Sequence, residues 1–150
     1  MIIQKLSIED VEKHRDSIYE MLQIDFNSTY GKFAKEEYVH NKIDTISKYI
    51  SDESAIIYVA IEEQKMLGMI WSYPLQTPFG AVLHIAYISI YESVRNKGIG
   101  TTLIKMIERE AELRGYNKIE LIVGANNSVA RNFYEKNGYK EDRLYLIKEL

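Results

Sequence analysis

The chain has 150 residues, of which 46% are hydrophobic and 27% charged, and this size and composition suit one soluble globular domain. Its net charge of −3 and sequence pI of about 5.7 exclude the basic surface that nucleic-acid binding requires. The absence of cysteine excludes disulfides, thiolate metal sites and a cysteine nucleophile. The first residues lack a signal-peptide pattern and no run is long enough to span a bilayer. We therefore predict a cytoplasmic protein with no metal site and no membrane partner.

Helix and strand patterns alternate in the first half of the chain. Ser7 and Asp10 form a capping box, and the apolar spacing behind them predicts one helix as far as Asn27. Pro74 and Pro78, the only prolines, are expected to bracket a loop. The predicted elements are a strand at 2–5, helices at 8–27 and 34–50, and a hairpin of strands at 55–62 and 66–73. The second helix is expected to carry on one side Tyr38, Lys42, Ile46 and Tyr49.

The second half is predicted to hold a central strand within a strand–helix–strand unit. The strand at 80–90 is apolar on both sides, with Ile85 and Tyr87 on one side, Ile88 on the other, and His84 as the polar exception. Two strands joined by one helix form a parallel pair. The predicted elements are strands at 80–90, 119–123 and 144–147, a helix at 98–114, and a short helix capped by Asn127 or Ser128 and closed by Gly138.

A basic loop that contains glycine connects the central strand to the long helix. Gly98 and Gly100 lack a Cβ, so the backbone can turn tightly and approach a ligand. Unpaired N–H groups and the dipole at a helix N-terminus favour an anion, and Arg95 and Lys97 add positive charge. The loop is not a P-loop, and Leu103 stands where a dinucleotide fingerprint needs glycine. The pattern therefore predicts a phosphate or pyrophosphate site.

A second motif occupies the short helix near the end of the chain. It reads N-x-x-A-x-x-F-Y-x-x-x-G-Y from Asn127 to Tyr139, and it follows R-x-x-G-x-G at Arg95 with one helix and one strand between them. Together the two motifs resemble the signatures of the GNAT superfamily of N-acyltransferases, over about residues 81–139. The resemblance implies a single α/β domain over residues 1–150. Its sheet would be mixed, mostly antiparallel and twisted, flanked by helices and splayed at the central parallel strand pair.

The resemblance also implies acetyl-CoA as co-substrate. Backbone amides of the basic loop would hold the pyrophosphate, and backbone groups of the central strand would pair with the pantetheine arm. Asn127 would face pantetheine, although a plain helix N-cap explains this residue equally well. The residues implied in binding acetyl-CoA are Ile88, Ser89, Ile90, Arg95, Asn96, Lys97, Gly98, Ile99, Gly100, Thr101, Asn127 and Tyr134.

Two residues are implied in catalysis. A primary amine must lose a proton before it attacks a thioester, and a positioned base performs this step. His84 lies where some family members carry a glutamate base, but a lone histidine on an apolar strand is also typical of a core residue. Tyr134 matches the tyrosine near the thioester sulfur and would protonate the leaving thiolate, with core packing as its alternative. Because cysteine is absent, we predict direct transfer in a ternary complex.

The acceptor is predicted to be a primary amine of a small molecule or peptide. The first two helices, the loop at 73–79 and the last strand would select it, and their tyrosines and acidic residues favour a small cationic amine. Three alternatives stay open: an acyl-CoA-binding module without catalysis, an N-terminal protein acetyltransferase and a nucleotide-binding regulator. Ile122 disfavours the second, because the similar ribosomal-protein alanine acetyltransferases place a glutamate base there. A homodimer is also compatible with the resemblance.

Overall fold

The computed structural model describes residues 1–150 and shows a five-stranded sheet with helices on both faces. None of the helices combines the length and the apolar character that a membrane crossing requires. The elements in chain order are β1 (Ile2–Lys5), α1 (Ile8–Lys13), α2 (Arg15–Tyr30), α3 (Glu36–Ser51), β2 (Ile56–Glu62), β3 (Lys65–Thr77), β4 (Gly80–Ile90), a 3₁₀ turn (Glu92–Val94), α4 (Ile99–Leu113), β5 (Ile119–Leu121) and α5 (Ser128–Lys136).

The strands follow the order β1–β2–β3–β4–β5 across the sheet. The first three pairings are antiparallel, and only β4 and β5 run parallel, because the crossover through α4 returns the chain to the same end of the sheet. β5 pairs with β4 only from Leu83 to Ile85, whereas β4 continues to Ile90. The predicted mixed, mostly antiparallel sheet with a splayed parallel pair is confirmed.

Each face of the sheet carries its own hydrophobic core. Met69 and Trp71 of β3 face helices α1 to α3, while Ile70 of β3 and Leu83 of β4 face α4. Successive side chains of a strand point to opposite faces, so a strand covered on both sides must be apolar throughout. This requirement explains the long apolar runs of β3 and β4.

α3 presents two neighbouring faces. Val39, Ile43 and Ile46 are buried in the core, whereas Tyr38 and Lys42 border a cavity described below. Tyr38, Lys42 and Tyr49 were predicted on one side of the helix, and all three line the cavity. Ile46 was predicted on the same side but belongs to the core face.

β4 contains a bulge at Ala86. Trp71 of β3 pairs with Tyr87 and the next residue of β3 pairs with Ile85, so Ala86 is the extra residue. The bulge reverses the alternation: Tyr87 packs against the core under α2 and α3, whereas Ile85 and Ile88 pack on the α4 side. The predicted shared face of Ile85 and Tyr87 is therefore wrong, and Ile88 lies opposite Tyr87 as predicted but on the same side as Ile85.

The predicted first helix is two helices. α1 begins at the expected capping box, where the Asp10 N–H donates to Ser7 Oγ at 3.2 Å. The chain then bends at His14, whose φ of −111° and ψ of 19° lie outside the helical region, and α2 runs past Asn27 to Tyr30. The prediction missed the break because the apolar residues keep helical spacing across it.

β3 runs straight through Pro74, so the predicted loop at 73–79 is wrong. Its residues form the arm of a long hairpin that turns at Pro78 and Phe79. Pro74 pairs with Leu83 of β4, but β2 is paired with β3 only as far as Ser72. β3 is therefore an edge strand at Pro74, where a residue without an N–H is tolerated.

No strand forms after α5, so the predicted strand at 144–147 is also wrong. Its side chains are 74% to 86% exposed and no other strand pairs with them. Large apolar residues favour the extended conformation, but a strand is stable only when a neighbouring edge accepts its hydrogen bonds. The remaining predicted boundaries agree with the structure to within two residues.

Candidate active site

The parting of β4 and β5 leaves a gap in the sheet. Pairing ends at Ile85 and Leu121, and β4 then continues to Ile90 without a strand on that side. The backbone N–H of Ile88 donates to a side chain of α2 and not to a neighbouring strand. An extended chain that entered the gap would meet an edge of β4 that no strand occupies, as an added strand does.

The basic loop forms a cluster of unpaired N–H groups beside this gap. No backbone N–H from residue 96 to residue 101 donates to another protein atom, and the first main-chain bond of α4 is accepted by the Gly98 carbonyl at 3.0 Å. Asn96 and Gly98 turn the loop with φ values of 62° and 79°. The Arg95 guanidinium donates to the Ile90 carbonyl at 3.2 Å, which holds a positive charge at the end of β4. Such a cluster is a typical anion site.

Gly98 and Gly100 of the loop meet different structural requirements. A Cβ on Gly100 would lie 3.0 Å from Ile90 Cδ1 and 3.0 Å from Phe133 Cζ, so Gly100 allows β4, α4 and α5 to pack closely. A Cβ on Gly98 would meet nothing within 4 Å. The space in front of Gly98 is therefore open to a ligand.

Asn127 joins α5 to the end of α2. Its Oδ1 accepts a hydrogen bond from the Ala130 N–H at 3.1 Å, which confirms the predicted helix cap. Its Nδ2 donates to Ser28 Oγ of α2 at 2.6 Å. The nearby Gly124 packs so tightly that a Cβ would lie 2.8 Å from the Thr29 carbonyl oxygen. These contacts hold the segment after β5 against α2, and the contact of Asn127 with pantetheine stays a prediction.

Tyr134 lies on α5, close to both helical layers. Its ring packs against Phe133 and Tyr139, with centroid distances of 5.3 and 5.8 Å. Burial, and after it the negative charge of Asp25, raises the pKa of Tyr134, whose hydroxyl has no hydrogen-bond partner within the protein. A phenol held protonated in this way can donate a hydrogen bond to a negative charge that forms beside it.

Asp25 of α2 also faces the gap, and sequence reasoning did not identify it. Its Oδ1 accepts the hydrogen bond from the Ile88 N–H at 3.1 Å. Burial raises the pKa of Asp25 to about 7, although hydrogen bonds from Ile88 and Thr29 act in the opposite direction. A carboxyl group with such a pKa can take up a proton near neutral pH, as a general base must. The available signal was an acidic residue four positions after the buried Met21, on the apolar stripe of α2.

His84 lies on the paired half of β4. Its Nδ1 is 3.4 Å from Oε1 of Glu120, its partner on β5, and Glu120 Oε2 is 3.1 Å from the Arg143 guanidinium. The imidazole also packs on Tyr73, with a centroid distance of 5.1 Å. A carboxylate partner orients an imidazole. This environment fits a proton relay as well as a structural histidine.

A cavity of about 530 Å³ opens between α2, α3 and the bulged part of β4. We call it the aromatic cavity. Tyr38, Trp71 and Tyr87 form much of its wall, and Asp25 and His84 also line it. The bulge in β4 is what turns Tyr87 towards this side of the sheet. The volume is typical of a site for a small molecule.

Ser89 and Ile122 have surroundings that limit what each can contribute to the site. Ser89 Oγ donates to the Met21 carbonyl at 2.6 Å and so holds β4 to α2, while the backbone of Ser89 pairs with Met69 of β3. Ile122 is 67% exposed and borders the aromatic cavity. An apolar side chain at that border provides no base.

Known proteins resemble the chain in sequence. It is 26% identical over 129 residues to the probable N-acetyltransferase camello of Xenopus tropicalis, in a match that covers 86% of this chain and 57% of that protein. It is 26% identical over 148 residues to the spermidine N(1)-acetyltransferase of Thermoplasma acidophilum, with 92% and 87% covered. The chain spans only 37% to 58% of the length of the first curated relatives it matches.

The fold is shared with a predicted acetyltransferase from Clostridium acetobutylicum that was solved with acetyl-CoA. The TM-score is 0.81 at 18% identity, and the match covers 99% of this chain and 95% of that one. The model of the acetyltransferase (GNAT) family matches residues 15–139, a range that includes the basic loop, Asp25 and Tyr134. The resemblance inferred from the two motifs is thus confirmed, and the chain belongs to the GNAT acetyltransferase family.

Proposed function

We propose that the protein transfers the acetyl group of acetyl-CoA to a primary amine of a small molecule or peptide, by direct attack in a ternary complex. The observation that carries the proposal is the gap beside β4, with unpaired N–H groups at one end and Asp25 and Tyr134 next to it. Membership of the GNAT family supports the type of reaction. The cytoplasmic location expected from the sequence belongs to the same proposal.

The basic loop would hold the pyrophosphate of acetyl-CoA. Its free N–H groups and the positive end of the α4 dipole favour a diphosphate, and Arg95 and Lys97 add two cations. The pantetheine arm would then extend along β4 past Ile90 and Ile88, where no strand competes for the backbone. This path leads the thioester towards Asp25 and Tyr134.

Residues of the gap would divide the proton transfers between them. The amine nitrogen attacks the thioester carbonyl, a C–N bond forms and the C–S bond breaks. Asp25 would take the proton that the ammonium must lose, since its pKa of about 7 makes it a stronger base than an ordinary carboxylate. The Ile88 N–H, released when Asp25 turns to the amine, would donate to the carbonyl oxygen as negative charge develops. Tyr134 would protonate the departing thiolate.

His84 would act through water. It precedes Ile88 by four residues on β4, a separation on the order of 10 Å at the rise of an extended strand. Its imidazole therefore cannot contact a thioester held at Ile88, but the pair with Glu120 suits it to pass a proton to solvent.

Relatives support an amine acceptor. One of them is named for the acetylation of spermidine, which is a small molecule with primary amines. That name supports the class of acceptor and leaves its identity to experiment.

The proposal is tested with purified protein, acetyl-CoA and a panel of primary amines that includes amino acids, polyamines and peptides with free N-termini. We expect release of the CoA thiol with at least one class of amine, and tight binding of acetyl-CoA in calorimetry. Binding without turnover of any amine would identify an acyl-CoA-binding module instead. Tighter binding of ATP or NAD than of acetyl-CoA would identify a nucleotide-binding regulator.

A further inference from the structure

The aromatic cavity contains a lysine ammonium that has no ionic partner. Lys42 Nζ lies 5.5, 5.6 and 5.3 Å from the ring centroids of Tyr38, Trp71 and Tyr87, so three aromatic rings contact one cation. Lys42 is half-buried and takes part in none of the ion pairs of the molecule. Burial also lowers the pKa of Lys42. An ammonium that has exchanged water for ring faces keeps its capacity to bind an anion.

Asp25 lines the same cavity but does not neutralise Lys42. Its carboxyl group is bonded to the Ile88 N–H of β4 and forms no ion pair. Tyr87 lies near both groups, because its ring contacts Lys42. The pKa of its phenol is raised first by burial, then by Tyr38 and then by the charge of Asp25. The cavity therefore presents one acidic group and one basic group, apart from each other, on an aromatic wall.

We infer that the acceptor is a primary amine that also carries a carboxylate, with the carboxylate bound by Lys42 and the amine directed to Asp25. The inference rests on the proposed acetyl transfer and names the substrate class for it. Two opposite charges in one cavity orient a zwitterion in a single sense, since the reverse orientation would bring like charges together. Tyr38, Trp71 and Tyr87 would pack on the apolar body of the acceptor.

The same arrangement disfavours a polyamine. Its second ammonium would meet Lys42 in a partly desolvated cavity, where like charges repel more strongly than in bulk water. The tyrosines and acidic residues of the chain predicted a small cationic amine as the acceptor. The positive charge of Lys42 in the cavity argues against that prediction. Helical spacing placed Lys42 on a face of α3, but its contact with Trp71 and Tyr87 depends on how α3 packs on the sheet.

The experiment compares amines that differ only in the carboxylate: phenylalanine with 2-phenylethylamine, and 6-aminohexanoate with pentylamine. We expect wild-type kcat/KM to favour the acid of each pair. Lys42→Met removes the charge but keeps the apolar stem, and should lower kcat/KM for the acids by about 10- to 100-fold and so abolish the preference for the acid of each pair. Lys42→Arg should restore most of the preference. Lys48→Met, at an exposed lysine of the same helix, is the matched control and should change nothing.

A binding measurement that needs no turnover separates this inference from the proposed function. 3-Phenylpropanoate, which is phenylalanine without its amine, should bind the wild type and lose affinity in Lys42→Met. That result together with no turnover of any amine would support the carboxylate site and overturn acetyl transfer. Equal kcat/KM for acid and amine, unchanged in Lys42→Met, would overturn the inference and leave acetyl transfer standing. Acetylation of Lys42 in protein incubated with acetyl-CoA alone, found by mass spectrometry, would also overturn the inference, because the lysine would then be an acceptor itself.

Discussion

At the scale of the single residue, Tyr134 differs from the tyrosines that serve the structure. Tyr58 donates to Glu110 at 2.7 Å, and Tyr91 donates to Glu20, so both hydroxyls are occupied within the protein. The Tyr134 hydroxyl has no such partner, and burial raises its pKa. It is therefore protonated and available to a substrate in the gap.

Tyr134→Phe is expected to lower kcat by about 10- to 100-fold and to leave the affinity for acetyl-CoA unchanged. The change removes the proton donor but keeps the ring that packs on Phe133 and Tyr139. Steady-state kinetics and calorimetry measure the two quantities. Tyr139→Phe is the control, because its hydroxyl is buried without a partner and its loss should be neutral or stabilising. An equal loss of kcat in both variants would contradict the proton-donor role.

The raised pKa of Asp25 predicts the pH dependence of the reaction. A base must be deprotonated, so kcat/KM should rise with pH until about pH 7, where the carboxyl has ionised. Asp25→Asn should lower kcat/KM by about 100-fold or more and abolish this rise. Asp16→Asn, at an exposed acid in the first turn of the same helix, should keep the wild-type profile. A rise that persists in Asp25→Asn would assign the base elsewhere, with His84 as the next candidate.

The same carboxyl group should make the fold less stable as the pH rises. The ordinary pKa of 3.8 applies to Asp25 in the unfolded chain and about 7 in the folded one, so between these values the folded protein binds more protons. The free energy of unfolding therefore falls from about pH 4 to about pH 7. Asp25→Asn should leave stability at pH 4 nearly unchanged and raise it at pH 8 by about 4 kcal/mol, as measured by urea unfolding. Equal effects at both pH values would show that the buried charge is not the cause.

Local spacing was enough to predict some site residues and insufficient for others. The motifs that identified Gly98 and Tyr134 are contiguous stretches, whose geometry follows from one turn or one helix. Asp25 meets Ile88 across 63 residues of sequence, and only the packing of α2 on β4 brings them together. Lys42 was placed on a helix face, but nothing in its neighbours along the chain indicated an unpaired ammonium in an aromatic cavity.

At the scale of the element, boundaries were more predictable than faces. The limits of β4 were predicted correctly because a mainly apolar run, broken only by His84 and Ser89, extends from Gly80 to Ile90. The bulge at Ala86 has no comparable signal, since no glycine or proline marks the extra residue. One inserted residue nevertheless decides that Tyr87 borders the aromatic cavity and that Ile88 faces α4. A small departure from regular alternation thus separates the acceptor side of the site from the core.

Asn127 provides a test at the scale of the helix, because its cap and its bridge to α2 can be separated. Asn127→Ala should lower the free energy of unfolding by about 1 kcal/mol, since the α5 cap is lost. Asn127→Ser keeps a good cap but removes the Nδ2 donor to Ser28, so stability should largely return. Both variants should raise the KM of acetyl-CoA about fivefold, the value of one neutral hydrogen bond. A normal KM in Asn127→Ser would restrict this residue to capping.

At the scale of the whole molecule, the candidate site lies where the two helical layers meet through the sheet. α2 belongs to one layer and contributes Asp25, whereas α4 and α5 belong to the other and contribute the basic loop and Tyr134. The layer architecture was predicted, because the two motifs resemble those of the GNAT superfamily and the central strand is apolar on both sides. The segment after α5 was not, because a strand is defined by its partner and the apolar residues at 144–147 do not reveal that none pairs with them.

A ligand that contacts both layers should stabilise the entire domain, which gives the last prediction. Acetyl-CoA at 100 times its Kd should add about 2.7 kcal/mol and raise the Tm by about 5 to 10 °C, whereas ATP and NAD at the same concentration should have little effect. Gly98→Asn retains a residue that tolerates positive φ but fills the open space before the loop, so the shift should be lost. Gly115→Asn carries the same backbone strain, at φ +77° beyond the other end of α4, and should keep the shift. An equal shift with ATP, or a full shift in Gly98→Asn, would contradict a diphosphate grip by the unpaired amides.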